Sequence, residues 1–549
     1  MNETLADYAI RIRAESLKMV HRAKASHIGG ALSMADLLAV LYGDTMNIDP
    51  RDPDKSDRDR FILSKGHSTV GLYATLALRG FFPVSELATY GQDGSRLLAH
   101  VSHKVPGVEF STGSLGHGLP FAVGKALAAK RQGHSWRVFA MLSDGELDEG
   151  SNWEAILFAA HHQLDNLVLI VDYNKIQSMG SVEDVVRLDP LSGKLDAFNW
   201  NVREIDGHCV DEIVEAFRPA DKPMPTAVVA NTIKGKGVPF MENQLLWHYR
   251  SPSDDDLIAQ ARLHPDVFLI IGDLGFSVVE PFAEEFPDRY LNAGIAEQNM
   301  AGMAAGLASE GYRPFIYSIA NFPTLRCVEQ IRNDICYHAM PVTVVAVGAG
   351  LAYGNLGYSH HAVQDIGCLR GLPNMGIYSP ADPGETRYCL RKLLSRSHPS
   401  YLRIGKAGEP ILYSDSEDER LGPLRRISGA ADAEVAIVAT GSVLVEAINA
   451  CKDNQDTAVY SLPEISADES AFAPLLAHKH IITTEEHVRA GGIGEMIASY
   501  CSGHSRVIPL CVNRNTPYGT GNAKYLRKQH GIDAESIQRA IEALAVTST

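Results

Sequence analysis

Short apolar runs that end in a Gly- or Asp-containing turn and lead into helical sequence recur along the chain. That alternation constrains the fold more than any other feature. The runs are Val138–Leu142, Leu167–Val171, Ala227–Ala230, Val267–Ile271, Val342–Val347, Val435–Ala439, Ile481–Thr484 and Val507–Val512. Each has strand length, and segments such as Asn152–Gln163 and Glu297–Leu307 carry helical patterning. Alternating apolar strands and helices predict α/β domains with mostly parallel sheets covered by helices on both faces. Sheets of that kind bind ligands at the carboxyl ends of their strands.

A chain of 549 residues is too long for one hydrophobic core, so several domains are expected. Two polar stretches read as linkers: WHYRSPSDDD (247–256), which precedes a helix at Leu257–Leu263, and the charge-rich SDSEDERLGPLRR (414–426). The predicted domains are therefore 1–250, 252–415 and 425–549. A net charge of −16 argues against sequence-independent nucleic-acid binding, which needs a basic face to displace counterions. A local Arg or His cluster can still serve an anionic small substrate. No window approaches 18 consecutive apolar residues, so no membrane span is expected. The amphipathic start MNETLADYAIRIRAESLK has no apolar signal region, and the eight cysteines show no C-x-x-C or metal-ligand spacing. Reduced thiols and a cytoplasmic location follow.

The most specific local signal is VFAMLSDGELDEGSNWEAILFAAHHQLDNLVLIVDYNKI. One apolar strand ends at Ser143-Asp144-Gly145, a helix follows, and a second strand ends at Tyr173-Asn174-Lys175-Ile176. In a βαβ unit both strand ends share one sheet edge, which makes Asp144 and Asn174 neighbours. Their oxygens plus a backbone carbonyl form a hard-oxygen set suited to a Mg²⁺ that also holds phosphate oxygens. Gly145 would let a diphosphate approach the backbone. Taken alone, an ordinary Asp-Gly turn and an Asn cap explain the same residues.

This segment resembles the thiamine-diphosphate fingerprint in the form found in the transketolase family, with Ser143 where Gly is usual. HIGGALSMADLLAVLYGDTMNIDP, DRFILSKGHSTVGLYATLALRG, HVSHKVPGVEFSTGSLGHGLPFAVGKALA and KGKGVPFMEN (234–243) extend the resemblance through nearly all of residues 5–250. It implies thiamine diphosphate and Mg²⁺ as cofactors, with Ca²⁺ or Mn²⁺ able to substitute. Asp144, Asn174 and the Ile176 carbonyl would be the metal ligands. Leu115, Gly116, Gly145 and His67 would touch the cofactor.

YLNAGIAEQNMAGMAAGLASEG places Glu297 at the start of a small-residue-rich helix, where the helix dipole alone justifies a Glu. The resemblance gives it a sharper role, as the carboxylate on N1′ of the aminopyrimidine ring. That contact favours the imino tautomer that takes the C2 proton of the thiazolium. PFIYSIANFPTLRCVEQIRNDI resembles the family's pyrimidine-stacking segment, with Phe322 as the stacking ring and Ile319 where a second aromatic is common. The family's sites combine domains from two subunits, which implies a homodimer. Glu149, in the diphosphate-to-helix turn, is read either as part of an acid network at that interface or as a simple surface Glu.

His27, His67, His100 and His360 fall on positions that line the family's substrate channel, and His248 is a fifth match. Imidazoles suit proton shuttling and hydroxyl recognition near neutral pH. VGAGLAYGNLGYSHHAVQD matches the family's channel loop through Gly354, Gly357 and His360, with Gly348 where a His is usual and Leu356 where a hydroxyl-reading Asp is usual. Arg403 in SYLRIGK matches a phosphate-gripping Arg whose usual partner is not evident in GDLGFSVVE. The resemblance implies transfer of a two-carbon glycolaldehyde unit from a ketose to an aldehyde acceptor. The departures point to a non-standard donor or acceptor, such as a modified or nucleotide-linked sugar, with classical pentose-phosphate substrates as the open alternative.

AEVAIVATGS, ITTEEHVRAGGIGE and NRNTPYGTG resemble the family's carboxyl-terminal domain. The whole chain looks like split-type amino- and carboxyl-terminal transketolase proteins joined end to end. Two rival readings stay open. One is another thiamine-diphosphate enzyme, deoxyxylulose-phosphate-synthase-like or decarboxylating a 2-oxoacid; the other is a non-catalytic scaffold of the same fold.

Overall fold

The computed structural model describes residues 4–243, 255–276, 278–406, 408–412, 422–466, 468–513 and 519–547. His248 and most of each linker lie outside the described residues. Three α/β domains are present, each built on its own sheet. By contact they form two compact units. The first holds the first sheet, together with residues 293–296 and 355–359, and the second holds the other two sheets. Among the described residues no helix is long and apolar enough to cross a membrane, and all eight cysteines are free.

In the first unit the strands are β1 (Arg60–Leu63), β2 (Val138–Ser143), β3 (Leu167–Tyr173), β4 (Asn201–Asp206) and β5 (Thr226–Asn231). They run in the order β1-β2-β3-β5-β4, all parallel. Every residue of β2 and β3 is buried, as strands covered on both faces require. Alternate side chains go to opposite faces. Phe139, Met141, Val168 and Ile170 pack under Leu37, Leu38 and Leu72 on one side. Val138, Ala140, Leu142, Leu167 and Leu169 pack against Leu119, Ala122 and Ile156 on the other. The edge strand β4, NVREID, stays half-exposed.

Lys65 follows β1 and is fully buried, with Asp172 of β3 as its ion-pair partner. The Lys65 ammonium also donates to the Gly30 carbonyl (3.0 Å), while Ser33 (2.6 Å) and Thr232 donate to Asp172. These bonds tie the segment around Gly30 to the sheet's carboxyl edge. Removing one charge of such a pair leaves the other buried and unpaired, which costs about 3–5 kcal/mol.

The second unit carries β6 (Val267–Ile271), β7 (Tyr290–Asn292), β8 (Arg313–Ile319), β9 (Thr343–Val347), β10 (Gly376–Tyr378) and β11 (Ser400–Ile404). Their order is β10-β11-β9-β8-β6-β7, again all parallel. Its other sheet is built from β12 (Arg425–Ser428), β13 (Val435–Ala439), β14 (Thr457–Ser461), β15 (His480–Val488) and β16 (Arg506–Val512). The order there is β12-β14-β13-β15-β16, with only β12 antiparallel to its neighbour.

Candidate active site

In the first unit the parallel pairing Ser143↔Asp172 brings the ends of β2 and β3 side by side. Asp144, 2% exposed, accepts from the backbone N–H of Gly145 (2.8 Å) through Oδ1 and from that of Lys175 (2.6 Å) through Oδ2. Asn174 sits in that same turn, its Oδ1 accepting from the Ile176 N–H at 3.3 Å. Burial pushes the Asp144 carboxyl up to about 6, with Asp172 adding to the rise and Lys234 opposing it. Among the described residues no cluster of three His, Cys, Asp or Glu could hold a metal ion. A cation here would draw on an amide and a carbonyl oxygen as well.

Gly145 packs on Gln177: a Cβ built on the glycine would lie 3.2 Å from the Gln177 Cγ. The Gln177 side chain is 3% exposed, and neither its amide nitrogen nor its oxygen has a partner among the described residues. Gly116 has φ +81°, and a Cβ there would meet Ser151 and Glu149 at 2.8–2.9 Å. Its N–H is accepted at 2.9 Å by Glu146, which also accepts from Ser64 and is pushed by burial to about 7. Leu115 is its immediate neighbour. Glu149 is 4% exposed, so it is not a surface residue.

Three of the histidines come together in this unit. The His27 ring lies 5.3 Å from that of His67 and 6.0 Å from that of His100. Burial lowers all three. His27 falls to about 3, with His100 and Lys234 adding to the shift; His100 falls to about 4; His67 lies well below the usual range, beside His27 and Lys65. All three are therefore neutral at pH 7, each imidazole carrying one donor and one acceptor nitrogen. Lys234 joins this cluster to the Asp144 turn, its ammonium donating to the carbonyls of Ile176 (2.9 Å) and Gln177 (3.1 Å).

The depressed values have a sign. Below pH 6.5 the unfolded chain takes up protons that folded His27 refuses down to about 3, so its share of stability is full above 6.5 and drains as pH falls. His27→Gln should flatten the stability-against-pH slope between pH 6 and 5 by up to about 1.4 kcal/mol per pH unit. Denaturant melts of both proteins check this; parallel slopes would contradict it.

In the second unit Glu297 opens the helix Glu297–Ser309 and is fully buried. Its Oε1 accepts from Ser318 Oγ (3.0 Å) and its Oε2 from Arg326 Nη1 (2.7 Å). Gly272, just past β6, leaves room for it: a Cβ there would stand 3.2 Å from Oε1. The Arg326 guanidinium lies 5.1 Å from the Phe322 ring centre. Phe322 in turn meets His360 edge-on at 5.3 Å, and His360 meets Tyr353 at 6.4 Å. Glu297, Phe322 and His360 thus share one file of side chains. Ile319 is buried at the end of β8.

Arg403 lies elsewhere. It is 2% exposed on β11, with Nε on Asp365 (2.7 Å) and Nη2 on the carbonyls of Ala362 (2.8 Å) and Glu486 (3.0 Å). Tyr401 donates to the same Asp365 at 2.6 Å.

Lys65, Gln177, Lys234, Arg326 and Tyr353 were not evident as site residues from sequence. Lys234 had a usable signal, because it opens KGKGVPFMEN just beyond the carboxyl end of β5, where ligands bind in such sheets. Arg326 and Gln177 had none, since their roles come from contacts made only in the fold.

Comparison with known proteins covers the whole length. The "Transketolase, thiamine diphosphate binding domain" family matches residues 5–283, the "Transketolase, pyrimidine binding domain" family 248–408, and the "Transketolase, C-terminal domain" family 427–537. Human transketolase is 28% identical, the alignment covering 99% of this chain and 97% of that protein. An apulose-4-phosphate transketolase component from Actinobacillus succinogenes is 45% identical over 42% of this chain and 84% of its own. The solved transketolase of Campylobacter jejuni matches with a TM-score of 0.45 at 20% identity, covering 99% of this chain and 100% of that one. With all three constituent domain types present in order, the chain belongs to the transketolase family.

Proposed function

We propose that the protein is a Mg²⁺- and thiamine-diphosphate-dependent transketolase that moves a two-carbon glycolaldehyde unit from a ketose to an aldehyde acceptor, working as a cytoplasmic homodimer. The observation that carries this reading is the Asp144 turn, with its buried carboxylate, Asn174 alongside and an unbonded Gln177 amide behind Gly145. Those groups fit a divalent cation and a diphosphate. Asp144, Asn174 and the Ile176 carbonyl would hold the ion, and Gly145, Gln177, Leu115, Gly116 and His67 would border the phosphates and rings. The cofactor, when bound, supplies the electron sink that makes carbon–carbon cleavage accessible.

The chain's own residues do the rest. Glu297 holds a charge toward the pyrimidine through a carboxylate fixed by Ser318 and Arg326, and Phe322 stacks beside it. His27, His67, His100 and His360 read hydroxyls and move protons. Lys234 donates to the Ile176 and Gln177 carbonyls, so its ammonium would stand as a positive charge beside the ion and the phosphates. Arg403 commits Nε to Asp365 and Nη2 to two carbonyls, which supports a structural role and leaves Nη1 alone for the phosphate grip that the family resemblance implies.

The name of the Actinobacillus relative contains a sugar phosphate, which puts phosphorylated sugars first among the candidates. The test pairs calorimetry of thiamine diphosphate with and without Mg²⁺ with a mass-spectrometric donor–acceptor screen of phosphorylated, free and nucleotide-linked sugars. We expect Mg²⁺-dependent binding and two-carbon transfer from at least one ketose. CO₂ release from pyruvate with no ketose turnover would replace this reading with a decarboxylase, and absent cofactor binding would leave a scaffold.

A further inference from the structure

We infer that Tyr353 is a specificity-determining residue that reads a hydroxyl of the sugar substrate beside His360, standing in the space a side chain at residue 348 would otherwise fill. The inference rests on the function proposed above and adds to it a residue that the family match does not supply.

Gly348 lies immediately beyond β9 with φ +84°, a conformation that L side chains rarely adopt. The Tyr353 ring covers it. A Cβ built on Gly348 would stand 2.1 Å from both Cδ2 and Cε2 of that ring. Phenyl and side chain therefore exclude one another, and this chain has taken the phenyl. Its position is fixed by the backbone on both sides. Gly350 and Ala362 exchange N–H···O bonds (3.0–3.1 Å), Ala352 donates to Ala349 (3.2 Å), and Gly354 donates to Leu351 (2.9 Å).

The ring then continues the file that begins at Glu297. Its plane meets the His360 imidazole at 86°, and His360 meets Phe322, the ring assigned to the pyrimidine. Whatever reacts beside Phe322 and extends past His360 comes next to Tyr353. The Tyr353 side chain is half-buried, and its hydroxyl makes no hydrogen bond among the described residues. With the ring packed and the O–H unbonded, that hydroxyl is left open to a ligand. A phenol both donates and accepts, as a sugar hydroxyl does, whereas a phosphate calls for cations. The one guanidinium in this file, Arg326, is already paired with Glu297.

Kinetics of the holoprotein test this, with L-erythrulose as donor and either D-glyceraldehyde or propanal as acceptor. The two acceptors share chain length and differ in hydroxyls. Tyr353→Phe keeps the ring over Gly348 and removes only the O–H. We expect it to raise KM about 10-fold for the substrate carrying the hydroxyl, the worth of one well-placed hydrogen bond, with kcat little changed. A rise confined to glyceraldehyde places the hydroxyl on the acceptor, and an equal rise for erythrulose with either acceptor places it on the donor; both support the inference. Unchanged KM for all three compounds overturns it. So does a uniform loss of kcat accompanied by a lower Tm, which would mark Tyr353 as packing. Exchange of the thiamine C2 proton in the unaltered protein reports separately on the proposed function: without it that function fails, whereas normal exchange with no Tyr353→Phe effect refutes this inference alone.

Discussion

Glu297→Gln should slow exchange of the C2 proton of bound thiamine diphosphate by about 10²–10⁴-fold, the usual worth of a positioned acid–base group, while the Mg²⁺-dependent affinity for the cofactor should largely survive. The amide keeps the shape of the side chain and an oxygen for Ser318, but it removes the charge that faces the pyrimidine. It also leaves the Arg326 guanidinium, 10% exposed, without its carboxylate. Stability should therefore drop as well, by about 3–5 kcal/mol if nothing else takes up the charge. Deuterium exchange followed by NMR reads the first effect, and denaturant unfolding reads the second. Exchange at the unaltered rate in a properly folded variant would remove Glu297 from the chemistry.

Asp144→Ala acts on binding instead. Losing the only carboxylate assigned to the ion should weaken Mg²⁺-dependent cofactor affinity by at least about 100-fold, since even outer partners of metal ligands are worth 10–100-fold. The same change strips acceptors from the Gly145 and Lys175 N–H groups, at about 1–3 kcal/mol each when buried. Asp144→Asn, which keeps an oxygen and loses the charge, separates the two effects. In the unaltered protein, burial holds this carboxyl up to about 6. A ligand must be deprotonated to bind metal, so affinity should fall as pH drops through that value. Calorimetry at pH 7.5 and 5.5 measures both; affinity indifferent to residue 144 would void the metal assignment.

The parts of the fold that were legible share one property, a run of apolar residues long enough to stand out. β2, β3, β6, β13 and β16 were all foreseen within two residues. β4 was missed because NVREID is half polar on an edge. β8, RPFIYSI, carries a proline at its second residue, β11 includes Arg403, and β1 is only four residues long. The site divides in the same way. Asp144, Asn174 and Glu297 stand at strand ends or a helix start, so local pattern exposes them. Lys65 and Asp172, 107 positions apart, meet only because β1 and β3 flank β2. Arg403 reads as a substrate arginine in a sequence that hides its ion-pair partner Asp365, 38 positions away. A sequence shows a guanidinium but not what neutralises it.

The anchorage of residues 350–354 and 360–363 links parts of the second unit that are far apart in sequence. Leu351 N–H rests on the Glu486 carboxylate (3.3 Å), Val488 N–H on the Val363 carbonyl (2.9 Å), and Gly354 packs so tightly on Gly521 that a Cβ would come within 2.4 Å of its carbonyl oxygen. Arg527 holds Glu486 in place from behind (2.6 Å). The carboxyl-terminal sheet therefore serves as the mould in which the Tyr353 and His360 loop is cast. If the proposed function holds, sugar preference would drift through residues that never meet a sugar.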